Sequence, residues 1–250
     1  MRMAGNTVFI TGGTSGIGRG FAEAFHHRGN QVIVAGRREE RLKEICDRCP
    51  GMGRFVLDVT DAAAIREVAR RVIAEFPSLD CVLNNAGIQL RPNFAPCGVV
   101  DDRDMRCEIE TNLLGPIRIA EAFLPHLAAL PAATLVNVSS GLAFVPMARF
   151  PVYCATKAAI HSWTLCLRHQ LRHSGVKVIE LIPPFVATEL GGAGKPASAG
   201  PQPMPLDAFL AEAIRELESG ADEVAVGEAK RLVAATCPET VRKAFSAINW

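Results

Sequence analysis

The chain carries one tyrosine, Tyr153, and it stands four residues before Lys157 in the run YCATK. On a helix that spacing puts both side chains on one face. Ile160, Trp163, Leu167 and Leu171 continue an apolar helical pattern behind the pair. A nearby ammonium favours phenolate over phenol, drawing a reference pKa of about 10 toward the working range. A phenol tuned in this way exchanges a proton with a hydroxyl or carbonyl oxygen. The pair alone also fits an ordinary solvated surface contact. Its neighbours change the odds: Ser140 directly follows the β-rich run TLVNVS (134–139), 13 residues before Tyr153, and Asn112 lies in TNLLG in the preceding helical region.

A second constellation opens the chain. The run TVFIT (7–11) leads into a turn with Gly12, Gly16 and Gly18 spaced G-x3-G-x-G, ahead of a helix carrying Ile17, Phe21, Ala24 and Phe25. Glycines in a strand-to-helix turn supply tight dihedrals and let backbone approach a ligand closely. The helix start then offers unpaired N–H groups to a pyrophosphate. The next strand tip reads Ala35-Gly36-Arg37-Arg38, with Glu39 and Glu40 already in the following helix. A carboxylate at that tip would accept from a ribose 2′-hydroxyl; two guanidiniums instead suit a 2′-phosphate. The expectation is therefore NADP(H) in preference to NAD(H). Asp58, at the end of RFVLD (54–58), either accepts from an adenine amino group or caps the next helix, as do Thr60 and Asp61. Asn84-Asn85-Ala86-Gly87 makes a strand-end turn along which backbone can run beside a ligand.

These groups need a frame to hold them together. QVIVA (31–35), CVLN (81–84), TLVNVS (134–139) and KVIELI (177–182) are further strands, and Glu223–Val226 is a short one. They are continuous apolar runs, as expected of strands covered on both faces. Between them lie helical patterns, most clearly Ile65, Val68, Ala69, Val72, Ile73 and Phe76. The alternation predicts an α/β fold of Rossmann type, a doubly wound parallel sheet with helices on both faces, forming a single domain over 1–250. The Gly-, Ala- and Pro-rich stretch 191–205 is read as part of a lid or substrate loop at about 188–217, followed by a helix over 206–217 and a polar helical tail.

Composition excludes several alternatives. With 27 Lys+Arg against 26 Asp+Glu, the net charge of +1 gives no footprint for nucleic acid or an anionic membrane. The longest charge-free stretch, 122–148, contains three prolines, His126 and Asn137, which argues against a membrane span. The eight cysteines are scattered singly apart from Cys46-x-x-Cys49, which has no second pair at metal spacing, so no metal site is expected. No apolar leader precedes TVFIT, and the thiols read as reduced, in a cytoplasmic protein. His169 and His173 lack the Glu of a zinc-protease motif and read as a solvated helix face; Cys154 reads as a small packed residue.

Taken together, TGGTSGIG, NNAG, the Asn of TNLLG, NVSS and YCATK resemble the successive signatures of the classical short-chain dehydrogenase/reductase superfamily, in order and at similar spacing over residues 7 to about 190. The segment from Val136 to Leu171 looks most like a bacterial subgroup of oxidoreductases named after lipoteichoic-acid operons. The resemblance implies reversible hydride transfer between a nicotinamide and a carbonyl or alcohol carbon. It casts Tyr153 as acid/base, Lys157 as partner of the nicotinamide ribose, Ser140 rather than Ser139 as holder of the reacting oxygen, and Asn112 as anchor of a water leading to Lys157. It places Gly12, Thr14, Ser15, Gly16, Ile17, Gly18, Arg37, Arg38, Asp58, Val59, Asn85, Ala86, Gly87, Pro183, Val186 and Thr188 along the cofactor. The family's Pro-Gly after the sixth strand is Pro183-Pro184 here, which removes a donor N–H. The resemblance further implies a homodimer or homotetramer acting on a small molecule. Phe94, Phe144, Phe150, Phe185 and Leu190 flank the expected site and point to an apolar substrate. Two other readings share these motifs: a catalytically idle dinucleotide binder serving as redox sensor or scaffold, and an epimerase or dehydratase.

Overall fold

The structure is a computed structural model and describes residues 1–95, 98–190 and 202–249. Seven parallel strands form one sheet: β1 (Thr7–Thr11), β2 (Gln31–Gly36), β3 (Gly53–Val56), β4 (Cys81–Asn84), β5 (Ala133–Val138), β6 (Val176–Ile182) and β7 (Glu223–Ala225). Their order is β3-β2-β1-β4-β5-β6-β7. Chain direction across the sheet reverses between β1 and β4, where the C-terminal strand ends splay apart and leave a crevice.

The strands alternate even though their sequences do not. Val8 and Ile10 of β1, with Val32 and Val34 of β2, face a layer made by α1 (Gly16–His26), α2 (Glu39–Arg48) and α7 (Leu206–Glu218). Phe9, Ile33 and Ala35, the residues between them, face α3 (Ala62–Glu75), α5 (Gly115–Ala128) and α6 (Pro151–Gln170). Both faces are covered, so each successive residue is apolar. The Phe9 ring lies 4.9 Å from that of Phe123 on α5, tying the first strand to the second layer.

Strand ends set the register of the site. β3 stops at Val56 and β5 at Val138, so Asp58, Ser139 and Ser140 lie on the loops just past the sheet. Asp61, not Asp58, caps α3: its carboxylate accepts from the N–H groups of Ala63 and Ala64 at 2.8 and 3.0 Å. Helix α4 (Asp102–Ile109) runs through a π-helical turn at Glu110–Leu114 into α5. A 3₁₀ turn at Gly141–Ala143 precedes α6, and the C-terminal part forms α8 (Ala229–Val233) and α9 (Pro238–Ile248). Helix α6 ends at Gln170, so His169 and His173 do not share a helix face. Of the expected lid at 188–217, residues 191–201 lie outside the described residues, and the stretch from Leu206 onward is helix α7. On its flanks, Val186 bridges to Met204, and the Ala187 N–H donates to the Met204 carbonyl at 2.9 Å. Among the described residues no helix is long and apolar enough to cross a membrane.

Candidate active site

Three glycines at the end of β1 are fixed by geometry. Gly12 adopts φ +67° and Gly16 φ +53°, the left-handed region that favours glycine. A Cβ on Gly12 would sit 2.8 Å from Ala86 Cα and 2.9 Å from Asn85 Nδ2. One on Gly18 would overlap the Gly12 carbonyl oxygen and the Asn85 amide. Gly18 therefore serves the turn by packing and does not line the cleft, contrary to its expected place along a cofactor. Asn85 spends its side-chain amide on the carbonyls of Thr11 and Gly12, at 3.1 and 3.3 Å, binding the end of β4 to the turn. The Thr11 hydroxyl accepts from the N–H groups of Asn85 and Ala86, each at 3.1 Å. Gly12→Ala combines a disfavoured φ with overpacking, so a stability loss of about 2–4 kcal/mol is expected, read as a lower urea midpoint.

The turn opens into a cleft of about 950 Å³ along the C-terminal strand ends. Gly12, Thr14, Ser15, Gly16 and Ile17 form one end, with Arg37, Arg38, Asp58 and Val59 beyond it. Asn85, Ala86 and Gly87 also line the cleft, as do Ser140, Tyr153, Lys157, Pro183 and Val186, and Thr188 adjoins Gly16. Of the two arginines, Arg38 is the one held at the turn: Nη2 donates to Thr14 Oγ1 at 2.9 Å and Ser15 Oγ at 2.8 Å. Asp58 accepts from the N–H and hydroxyl of Thr60, both at 2.9 Å, and so orders its own loop while facing the cleft.

At the other end, Pro151 starts α6 and brings Tyr153 into its first turn. The ring is 5 % exposed and packs with Phe150, Cys154, Leu142, Met147 and Leu190. Burial pushes the phenol well above its ordinary range, while a hydrogen bond with Ser140 pulls the other way. Lys157 lies one turn on, its Nζ 5.7 Å from the Tyr153 ring centroid and donating to the Val138 carbonyl at 2.8 Å. Burial lowers the amine to about 8, opposed by the charge of Glu180. Against the expected acidification of the phenol by Lys157 stands burial, which is the largest influence on both groups. Ser140 accepts from the Leu142 N–H at 3.1 Å, while Ser139 turns away and donates to Glu180.

Asn112 is fully buried in the π-helical turn behind the cleft wall, where a Cβ on Gly87 would lie 3.3 Å from its Oδ1 and 3.8 Å from Lys157 Nζ. Its amide donates to the Ile88 carbonyl at 2.8 Å and to Thr156 Oγ1 at 3.3 Å, and its carbonyl accepts from the Ile88 N–H at 2.8 Å. It clamps the loop after β4 onto α6. Burial raises the Cys154 thiol above its ordinary range, as it does those of Cys46 and Cys49. Of the flanking apolar residues, Phe150, Phe185 and Leu190 line the cleft, Phe94 sits in a side pocket, and Phe144 packs at a tilt against His161. Sequence reasoning passed over Arg91 and Arg149 on the cleft wall, and Ala244 and Ile248 from α9. The last two fall at helical spacing in the tail, the one signal that marked them.

Comparison with known proteins settles the family. A family profile described as short chain dehydrogenase matches residues 6–197. The chain belongs to the short-chain dehydrogenase family. An uncharacterized oxidoreductase, DltE of Bacillus subtilis strain 168, is 45 % identical over 193 residues, 76 % of this chain and 75 % of that protein. It places this short-chain dehydrogenase in the bacterial DltE-like subgroup. Sulfoacetaldehyde reductase 2 of Chromohalobacter salexigens is 37 % identical over 73 % of each chain. Among solved structures, a short chain dehydrogenase from Burkholderia cenocepacia in complex with NADP superposes with a TM-score of 0.83 at 27 % identity, over 99 % of this chain and 98 % of that one. The protein is therefore an oxidoreductase of this family with NADP-bound structural neighbours.

Proposed function

We propose that this short-chain dehydrogenase is an NADP(H)-dependent enzyme that interconverts a carbonyl and an alcohol on a small molecule. The observation that carries the reading is the convergence of Ser140, Tyr153 and Lys157 on the cleft that the glycine turn and Arg38 also line. The residues present fit a dinucleotide. Gly12 and Gly16 keep the turn close against Ala86 and Thr188 on the cleft wall, and Arg38 offers a guanidinium at the turn. In this reading the turn 12–18 holds the pyrophosphate, Arg37 and Arg38 the 2′-phosphate, and Asp58 and Val59 the adenine. Asn85–Gly87 and Lys157 meet the nicotinamide ribose, while Pro183, Val186 and Thr188 meet the carboxamide side. The bound nicotinamide supplies or accepts the hydride.

The protein's own task is the proton and the pose. Tyr153, kept protonated by burial, donates to the oxygen of a carbonyl being reduced. Ser140 orients that oxygen from the other side. Asn112 acts through the loop it clamps, as a positioning residue. The wall beside Tyr153 is apolar, and Arg91, set 5.2 Å over the Phe150 ring, lines the same cleft with Arg149. A small substrate with an apolar body suits this wall, and the sulfonated aldehyde in the name of one relative makes acid-bearing aldehydes worth including among candidates. The proposal includes a cytoplasmic setting and assembly as a homodimer or homotetramer, supported by exposed Ile109 on α4 and Leu165 on α6.

The test is NADPH oxidation against a panel of ketones, diketones and aldehydes, with neutral, carboxylated and sulfonated members. At least one is expected to turn over, with kcat/KM for NADPH exceeding that for NADH by roughly tenfold or more. No turnover with any member overturns the enzyme reading in favour of an idle binder; a preference for NADH overturns the cofactor assignment.

A further inference from the structure

The loop after β4 is held by buried side chains almost to its tip. Asn85 is tied to the glycine turn, and Asn112 takes both the N–H and the carbonyl of Ile88. The Leu90 N–H then donates to Glu108 Oε1 at 2.9 Å, and Glu108 is only 1 % exposed. Backbone pinned at Ile88 and again at Leu90 has little freedom left, and Arg91 is the next residue out. Its guanidinium lies 5.2 Å over the ring of Phe150, within cation–π reach, and Phe150 packs against Tyr153. One aromatic ring thus links an exposed guanidinium to the side chain proposed to deliver the proton.

None of the described carboxylates on the cleft wall answers this charge. Asp58 accepts from Thr60, Glu189 lies 2.8 Å from Arg41, and Glu228 lies 3.9 Å from Arg231. Arg149, which borders both the cleft and the side pocket together with Arg91, carries the same sign. Like charges gathered on a concave wall raise the local concentration of an anion.

We propose that Arg91 receives an acid group of the substrate, so that the cleft takes a carbonyl compound bearing a carboxylate or sulfonate away from its reacting carbon. The proposal rests on the carbonyl–alcohol reading of this site and names a substrate class within it. A guanidinium presents its donors as a planar fork that matches paired oxygens of either anion. The apolar side chains packed around Tyr153, those of Phe150, Leu142 and Met147, suit the hydrocarbon that joins the acid to the carbonyl.

Three aldehydes of matched length test this: 4-oxobutanoate, 3-oxopropane-1-sulfonate and butanal. The unaltered protein is expected to favour at least one of the acids over butanal in kcat/KM, and the ratio between the two acids tells carboxylate from sulfonate. In Arg91→Gln the preference for the acid is expected to fall roughly tenfold, as for an exposed charge-assisted contact, and through KM rather than kcat. Arg91→Lys keeps the charge but not the fork, and is expected to recover part of the preference. Butanal preferred over both acids, or a preference that Arg91→Gln leaves intact, overturns the proposal and leaves the enzyme reading standing. A blank panel sinks the enzyme reading instead, and binding then decides the arginine. Butanoate, propane-1-sulfonate and butan-1-ol are titrated calorimetrically into the protein in the presence of NADPH. At least one anion is expected to bind more tightly than the alcohol and to weaken roughly tenfold in Arg91→Gln. Anions that bind no better than butan-1-ol, or that bind Arg91→Gln equally well, overturn the proposal.

Discussion

Tyr153→Phe is expected to bind NADPH as the unaltered protein does and to lose turnover by roughly 10²–10⁴-fold, the usual contribution of a positioned acid or base. The ring stays, so the packing with Phe150, Cys154 and Met147 is kept and the fold has no reason to change. Only the hydroxyl shared with Ser140 disappears. Fluorescence titration of NADPH reads the first half of this expectation and initial rates the second. A variant with near-normal rate would show that the proton comes from elsewhere. The pH dependence follows from the same two groups. Burial holds the phenol in its protonated form through the neutral range, so the acid is present. Lys157 is protonated below about 8 and loses its charge above it. Carbonyl reduction is therefore expected to hold a plateau below that pH and fall above it, and a profile flat through pH 9 would separate the reaction from Lys157.

The parts of this molecule written in local pattern were legible before any coordinates. Strands β1 and β4 fall on their expected residues because an apolar run bounded by glycine or asparagine leaves little freedom. The glycine turn was legible because its dihedrals and close approaches exclude every other residue. What pattern did not carry was the electrostatics. Tyr153 and Lys157 at a four-residue interval suggested an acidified phenol, but the sign depends on solvent exclusion by Phe150, Leu142 and Leu190, which come from three separate segments. Asn112 likewise reads as a polar side chain near chemistry. Only the tertiary contacts show that Ile88 and Thr156 occupy its amide. Glu180 was hidden inside an apolar strand, since a single carboxylate in KVIELI carries no sign that Ser139 and His161 will meet it.

The second large effect concerns the cofactor's tail. At the strand tip Arg37 and Arg38 looked equivalent in sequence, and the structure separates them. Arg38 is forked onto Thr14 and Ser15. Glu189, arriving from the segment after β6, lies 2.8 Å from Arg41 and 3.5 Å from Arg38. Arg41 above all, with Arg38 beside it, holds this carboxyl below the usual range. An anion thus already sits at the corner where a 2′-phosphate is proposed to bind. Arg38→Ala removes a charge-assisted donor, worth about 1.5–3 kcal/mol when desolvated. With the arginine side chain 46 % exposed, solvent screening moves the expectation to the lower end. A fall of about tenfold in kcat/KM for NADPH is therefore expected, with little change for NADH, which has no phosphate for the guanidinium to meet. Glu189→Gln works in the opposite sense: with the competing carboxylate neutralised, Arg38 and Arg41 are released to the phosphate, and NADPH affinity rises while NADH affinity does not. Equal losses for both cofactors in Arg38→Ala would instead mean that the arginine only braces the glycine turn through Thr14 and Ser15, and the 2′-phosphate would have to be assigned to Arg37.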